Sequence, residues 1–180
     1  LSVRSKFERQ LNFRHIGFAY KIPDAGRSLK PFDYVVGMPI TIDGITLLRF
    51  IAIEAKKADG WSLHKSKWQD HQRNALDAVD RLCPNCAWVA IGFLDIPNMK
   101  LDHNRAPIAG RRHKEAYLIR WRDFKEIEGE ISCGYGDIAE NFADFILEYG
   151  KQGSRYLWLV PANHPLRDIF LPDVVYNMSP

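Results

Sequence analysis

The sequence predicts a mixed α/β fold, a central mixed β-sheet with helices packed on it, and three observations predict it. Apolar residues recur every four positions at Val3, Phe7 and Leu11, as along one side of a helix. Asp43-Gly44 stands between two apolar runs, which is a hairpin signal. A stretch with helical periodicity over about 66–82 is followed, past Pro84, by the nearly unbroken apolar run 87–94, as in a strand buried on both faces.

The elements follow in order. The first helix is expected over about 2–15, with Gly17 just past its end. Pro23, Asp24, Gly26 and Ser28 make 21–30 a loop by turn chemistry. Strands are read at 32–36, 40–42 and 47–56, the last two joined by Asp43-Gly44. After a short loop at 58–60, the helix over about 66–82 carries Trp68, Ala75, Leu76, Val79 and Leu82 on one side. The span 97–114 is a long basic loop, and 116–121 reads as a strand. Asp137 followed by Glu140 resembles a capping-box start for a helix to about 149, with Gly134-Tyr135-Gly136 as a turn before it. An edge strand at 156–160 completes the list. With no repeat, low-complexity stretch or linker, one domain over 1–180 is expected, its core at about 2–122 and an additional helix and tail at about 123–180.

Composition narrows the function classes. An apolar share of 46%, with 12% aromatic residues, is ample for a core and argues against disorder, collagen and coiled coil. No apolar run approaches a membrane span, and the first 30 residues carry seven Lys/Arg without a signal-peptide apolar block. An intracellular, cytoplasmic protein with no membrane partner is therefore expected. Three cysteines cannot close a disulfide framework, which suits a reducing compartment. Leu1 stands where an initiator Met is expected, so a few leading residues are expected to be missing.

The net charge of +3 hides an uneven distribution: +5 over 1–30, −1 over 31–96, +5 over 97–125 and −6 over 126–180. Two basic segments suit a polyanionic ligand, although from charge alone a solvated basic surface is the better reading.

The chemistry centres on Ile53-Glu54-Ala55-Lys56. A strand's period of two puts Glu54 and Lys56 on one face, where they form either a structural ion pair or part of a site. Asp33 opens the preceding strand, and adjacent strands would bring it near Glu54. Two convergent carboxylates and a backbone carbonyl, that of Ala55, make a hard-oxygen site for Mg²⁺. The alternative for Asp33 is an ordinary strand-start aspartate. Gln72 lies within the apolar stripe of its helix, where an amide needs partners: either the site or the core backbone. Gln69, one step off the stripe, is the weaker choice.

Glu8 in a first helix, Asp33 in PFDYVVG, Glu54 and Lys56 in FIAIEAKK, and Gln72 in DHQRNAL together resemble the PD-(D/E)XK nuclease pattern. More narrowly, GFAYKIPDAGRSLKPFDYVVG, then IAIEAKK, then DHQ resembles the Holliday junction resolvases of the archaeal and bacterial recombination protein U types, over about 4–95. Phe32 precedes Asp33 where the pattern's name has Pro, and 38–48 is a longer hairpin than a minimal archaeal-type resolvase shows.

The resemblance implies a restriction-endonuclease-like core. It also implies a Mg²⁺-dependent DNA endonuclease, with Mn²⁺ as substitute, acting as a homodimer. By matching positions, Asp33 and Glu54 would hold the metal, Lys56 would act on the water, Gln72 would support the site, and Glu8 would be a further ligand or water partner. The alternatives are a restriction-like or repair nuclease, a DNA-binding module with a vestigial site, and a structural protein with a coincidental E-x-K.

Arg4, Arg9, Arg14, Arg27, Arg111, Arg112 and Lys114 are the expected phosphate contacts. The apolar hairpin 38–48 is the expected dimer surface, its alternative being a sheet edge folded onto its own core. Cys83-Pro84-Asn85-Cys86 has zinc-knuckle spacing without a second pair and reads as a helix-end turn; Cys133 or a histidine would have to complete a site. His64 and His71 read as surface or capping residues, and Trp61 as a core or edge aromatic that could stack on a base.

Overall fold

A two-residue turn at Asp43-Gly44, both with positive φ (49° and 79°), joins two adjacent antiparallel strands of the sheet. The computed structural model describes residues 6–23, 29–96 and 113–167. In chain order the elements are α1 (Lys6–Gln10), β1 (Phe18–Lys21), β2 (Tyr34–Ile42), β3 (Ile45–Lys57), β4 (Ser62–His64), α2 (Asp70–Leu82) and β5 (Ala87–Ile96). There follow β6 (His113–Arg120), α3 (Trp121–Ile127), β7 (Ser132–Gly134), α4 (Tyr135–Asn141), β8 (Glu148–Gln152) and β9 (Arg155–Leu159).

The five-stranded sheet has the order β1-β2-β3-β5-β6. Only β3 and β5 are parallel, joined by the crossover through α2; the other pairs are antiparallel. This is a mixed sheet flanked by helices. Trp88, Val89, Ala90 and Ile91 of β5 are all fully buried. Alternate residues explain the unbroken apolar run: Trp88 and Ala90 enter one core with Phe7, Phe13, Val36 and Ile53, while Val89 and Ile91 enter the other with Leu76, Trp121 and Phe124. The expectation for this strand holds.

Several elements differ from expectation, each for a tertiary reason. The strands read at 32–36 and 40–42 are one strand, β2. Its pairing with β1 stops at Phe18↔Gly37, so Pro39 lies where β2 has an open edge and a missing N–H breaks no ladder bond. β1 itself falls on the end of the first segment and the start of the expected loop. The first helix stops at Gln10, because Leu11 bridges to Trp158 and the Asn12 N–H donates to the Trp158 carbonyl at 3.0 Å; positions 2–5 lie outside the described residues. α2 starts at Asp70, so Trp68 precedes the helix, and Leu82 is exposed instead of sharing the buried side.

The helix read over 137–149 ends at Asn141. Beyond it the Leu147 N–H donates to the Ala116 carbonyl at 2.7 Å, and β8 pairs with β9 in a separate two-stranded sheet. Leu147, Trp158, Val160 and Leu166 are buried in the same cluster as Phe7 and Trp88, so the chain past 122 contributes to the core. Cys83 caps α2 and is joined to Cys86 by a disulfide, at the helix-end turn expected of this segment.

Candidate active site

β3 outlasts its neighbour. β2 begins at Tyr34, opposite Ile53, so Glu54, Ala55 and Lys56 run past its end while still paired with β5. The parallel ladder is bracketed by Ala52 N–H to Cys86 O and Ala58 N–H to Gly92 O, so the even residues of β3 bond toward β5. The peptide groups of Ala55 therefore face the vacated β2 edge. Its N–H donates to Asp33 Oδ2 at 2.8 Å, a side chain replacing a ladder partner, and the Asp33 N–H donates to the Ile53 carbonyl at 3.0 Å. Those two bonds place Asp33 beside the Glu54 segment.

On the face toward α2, Glu54, Lys56 and Gln72 close a triangle. Lys56 Nζ lies 2.8 Å from Glu54 Oε1 and donates to Gln72 Oε1 at 2.7 Å; Gln72 Nε2 donates to Glu54 Oε1 at 2.6 Å. The amide thus turns its oxygen to the ammonium and its nitrogen to the carboxylate, the orientation that satisfies both. Gln72 sits in the first turn of α2, where Oε1 also accepts the Gln69 N–H at 3.3 Å. Trp68 lies against the Lys56 ammonium, 5.1 Å from ring centre to Nζ. Arg73, the next residue, is bonded to both oxygens of Glu128 at 2.8 and 2.7 Å and stands over the Trp121 ring, fixing that turn of α2 to α3.

Asp33, Glu54 and Gln72 are three of the four buried polar or charged side chains among the described residues, the fourth being His164. Burial first, then the charge of Asp33, pushes the Glu54 carboxyl up to about 8 against the pull of Lys56. Its Oε2 is buried and has no hydrogen-bond partner among the described residues. A partnerless carboxylate oxygen beside a second carboxylate is a place where a cation is stabilising. The donors there, the two carboxylates and the Ala55 carbonyl on the open edge, are the hard oxygens Mg²⁺ takes, and the set fits that ion with water completing its shell. Among the described residues no three His, Cys, Asp or Glu side chains gather as a ready-made cage.

Glu8 is placed near the site but outside its carboxylate pair. Lys21 Nζ lies 2.7 Å from Glu8 Oε1, and Lys30 Nζ lies between the two acids, 3.6 Å from Glu8 Oε1 and 2.5 Å from Asp33 Oδ1. His71 Nε2 contacts the Lys30 carbonyl at 3.0 Å, a tertiary bond from α2 to the segment before β2 rather than the surface or capping role expected of it. Lys21 and Lys30 were not anticipated from the sequence: they flank a segment with loop chemistry, and nothing local announces that they meet acids from α1 and β2.

Of the expected phosphate contacts, Arg9 and Arg14 are exposed near α1, and Lys114 is exposed on β6 with its ammonium 5.9 Å from the centre of the Tyr149 ring. Arg4, Arg27, Arg111 and Arg112 lie outside the described residues. Trp61 packs edge-on against Tyr135 at 5.5 Å, an edge aromatic. Cys133 is buried on β7, where burial pushes its thiol up to about 11, while Cys83 and Cys86 are joined to each other.

No protein-family model matches this chain, and no curated protein matches it.

Proposed function

We propose that this protein is a Mg²⁺-dependent DNA endonuclease with a restriction-endonuclease-like core, Mn²⁺ serving as substitute, and that a homodimer of it resolves four-way junctions by paired nicks. The observation that carries the reading is the meeting of Asp33, Glu54, Lys56 and Gln72 at the open end of β3, with Glu54 Oε2 left unpartnered.

In that role Asp33, Glu54 and the Ala55 carbonyl hold the metal, which when bound supplies a polarised phosphoryl oxygen and a more acidic water. Asp33 is steadied by the Ala55 N–H and Glu54 by the Gln72 amide, each through one oxygen, while Lys30, which meets the other oxygen of Asp33, would give way to the metal. An ammonium has three protons, and Glu54 and Gln72 take two of those on Lys56. The third is free to orient the attacking water or meet charge on the phosphoryl oxygens. Gln72 and Trp68 act as positioning residues for Lys56.

A cleavage panel tests this: four-way junction, flap, duplex and single strand in Mg²⁺, with wild type and Asp33→Asn. The expected outcome is junction cutting by wild type and a loss on the order of 10²–10³-fold in the variant, with DNA binding retained. Undiminished cutting by Asp33→Asn removes the site assignment; equal cutting of duplex and junction leaves the chemistry and removes the substrate.

A further inference from the structure

A groove of about 490 Å³ runs between α1 with the segment after it, β1, and the β8–β9 hairpin. Four cations line it, Arg9, Arg14, Lys21 and Arg155, against one carboxylate, Glu8. Glu8 is already met by Lys21 at 2.7 Å and by Lys30 at 3.6 Å. The guanidiniums of Arg9, Arg14 and Arg155 face no carboxylate among the described residues, and all three side chains are exposed. Arg155 comes from the acidic part of the chain, where charge along the sequence gives no reason to look.

The walls are built. The Asn12 N–H donates to Trp158 O at 3.0 Å, Asn12 Nδ2 donates to Gln152 Oε1 at 2.9 Å, and the Arg14 N–H donates to Asn12 Oδ1 at 3.0 Å. These bonds fix the segment carrying Arg14 to the hairpin carrying Arg155. Asp33 and Glu54 do not line the groove, but Glu8, which does, is tied to Asp33 through Lys30, whose ammonium lies 3.6 Å from Glu8 Oε1 and 2.5 Å from Asp33 Oδ1.

We propose that this groove holds the sugar-phosphate backbone of a single nucleic-acid strand continuing from the phosphodiester held at Asp33 and Glu54. Its course toward the site rests on the nuclease reading; its binding does not. A cleft of this volume takes a ligand of about nucleotide size and excludes the body of a duplex. Guanidiniums are the side chains best matched to phosphate oxygens. The aromatic rings in the lining, Phe13 and Tyr34, are buried and offer no platform for a base, so recognition is electrostatic and independent of base sequence.

The test is fluorescence anisotropy in EDTA at several salt concentrations. Its probes are a short duplex with a single-stranded tail and the same duplex blunt. An Arg14→Gln, Arg155→Gln double variant is expected to bind the tailed probe about tenfold more weakly, with a salt slope shallower by about 1.4, roughly 0.7 per lost single-strand contact. Its affinity for the blunt probe is expected to stay within about twofold. The single variants, at exposed side chains, are each expected to lose about threefold, and matching melting curves guard against misfolding.

Unchanged tailed-probe affinity and slope overturn the groove, as does displacement of the tail by inorganic phosphate or a mononucleotide as readily as by a longer single strand. A parallel Mg²⁺ cleavage assay separates the two readings. Arginine-dependent tail binding by a protein that cuts nothing keeps the groove and removes the nuclease; cleavage with no arginine effect on tail binding does the reverse.

Discussion

The two ends of the β2–β3 hairpin invert the usual rule of burial in opposite directions. At the end near Asp33, charged and amide side chains are buried: Asp33 is 3% exposed and Glu54 1%. At the turn end, apolar side chains are in water: Leu48 is 56% exposed and Phe50 53%. A buried polar group and an exposed apolar cluster are the two informative departures in a folded chain. In the proposed function a cation answers the first and a second copy of the chain covers the other. One strand, β3, carries both, so any partner covering the turn end is registered to the site by a continuous ladder.

The largest effect should come from breaking the buried end with pH. Raising a carboxyl from its ordinary 4.5 to about 8 means the folded protein holds a proton that the unfolded chain gives up between those values. The stability this proton lends is fully present below about pH 4.5 and is lost as pH rises through about 8. Metal-free protein should therefore weaken by a few kcal/mol between pH 5 and pH 8, roughly over those bounds, and Glu54→Gln should flatten that slope. Mg²⁺ at the upper pH should restore wild type and not the variant. Thermal melts across the range check both; parallel slopes for the two proteins would mean that Glu54 titrates normally.

A smaller effect is expected at Gln72. Gln72→Leu keeps the helix but takes one hydrogen-bond partner from Lys56 and one from Glu54, both largely buried. The cost should be about 1–3 kcal/mol in urea unfolding. Any loss of cleavage should appear as a displaced pH profile, because the Glu54 carboxyl loses a bond to its charged form. A drop in stability with an unmoved pH profile would leave Gln72 a packing residue and nothing more.

How much of this was legible in the sequence follows the same division. The buried end was legible because its signals are local: the alternation of Glu54 and Lys56, an aspartate opening a strand, an amide in an apolar stripe. The unbroken run of β5 was legible for the same reason. Lys21 and Lys30 were not, since their acids arrive from other elements. Nor was β1, whose four residues alternate exposed and half-buried without an apolar stripe. The end of α4 was invisible because residues with a helical pattern are drawn away by the Leu147–Ala116 bond and by pairing with β9. Charge along the chain located Arg9 and Arg14 but could not show that Arg155 stands across a groove from them.

The smallest change in stability, and the clearest test of the exposed end, concerns the proposed dimer. Phe18, Gly37 and Phe50 form one row across β1, β2 and β3, and Leu48 stands opposite Pro39 on the same face. Gly37 has no side chain there, and a Cβ would stand only 2.9 Å from the Phe50 ring, so the ring fills the glycine's place. Met38, in contrast, points into the protein's own core, so only part of the 38–48 segment is free to meet a partner. A two-fold interface uses one patch twice, and a row of Phe18, Phe50 and Leu48 is self-complementary in that sense. Leu48→Lys with Phe50→Lys should change unfolding free energy by no more than about 0.5 kcal/mol, since both side chains are already in water. Light scattering should nevertheless show the dimer replaced by monomer. With it, paired incision of a cruciform plasmid should give way to single nicks, because each site still cuts one strand. A wild-type monomer at micromolar concentration, or a variant that stays dimeric, would move the partner surface away from this face while leaving the buried end, and its chemistry, untouched.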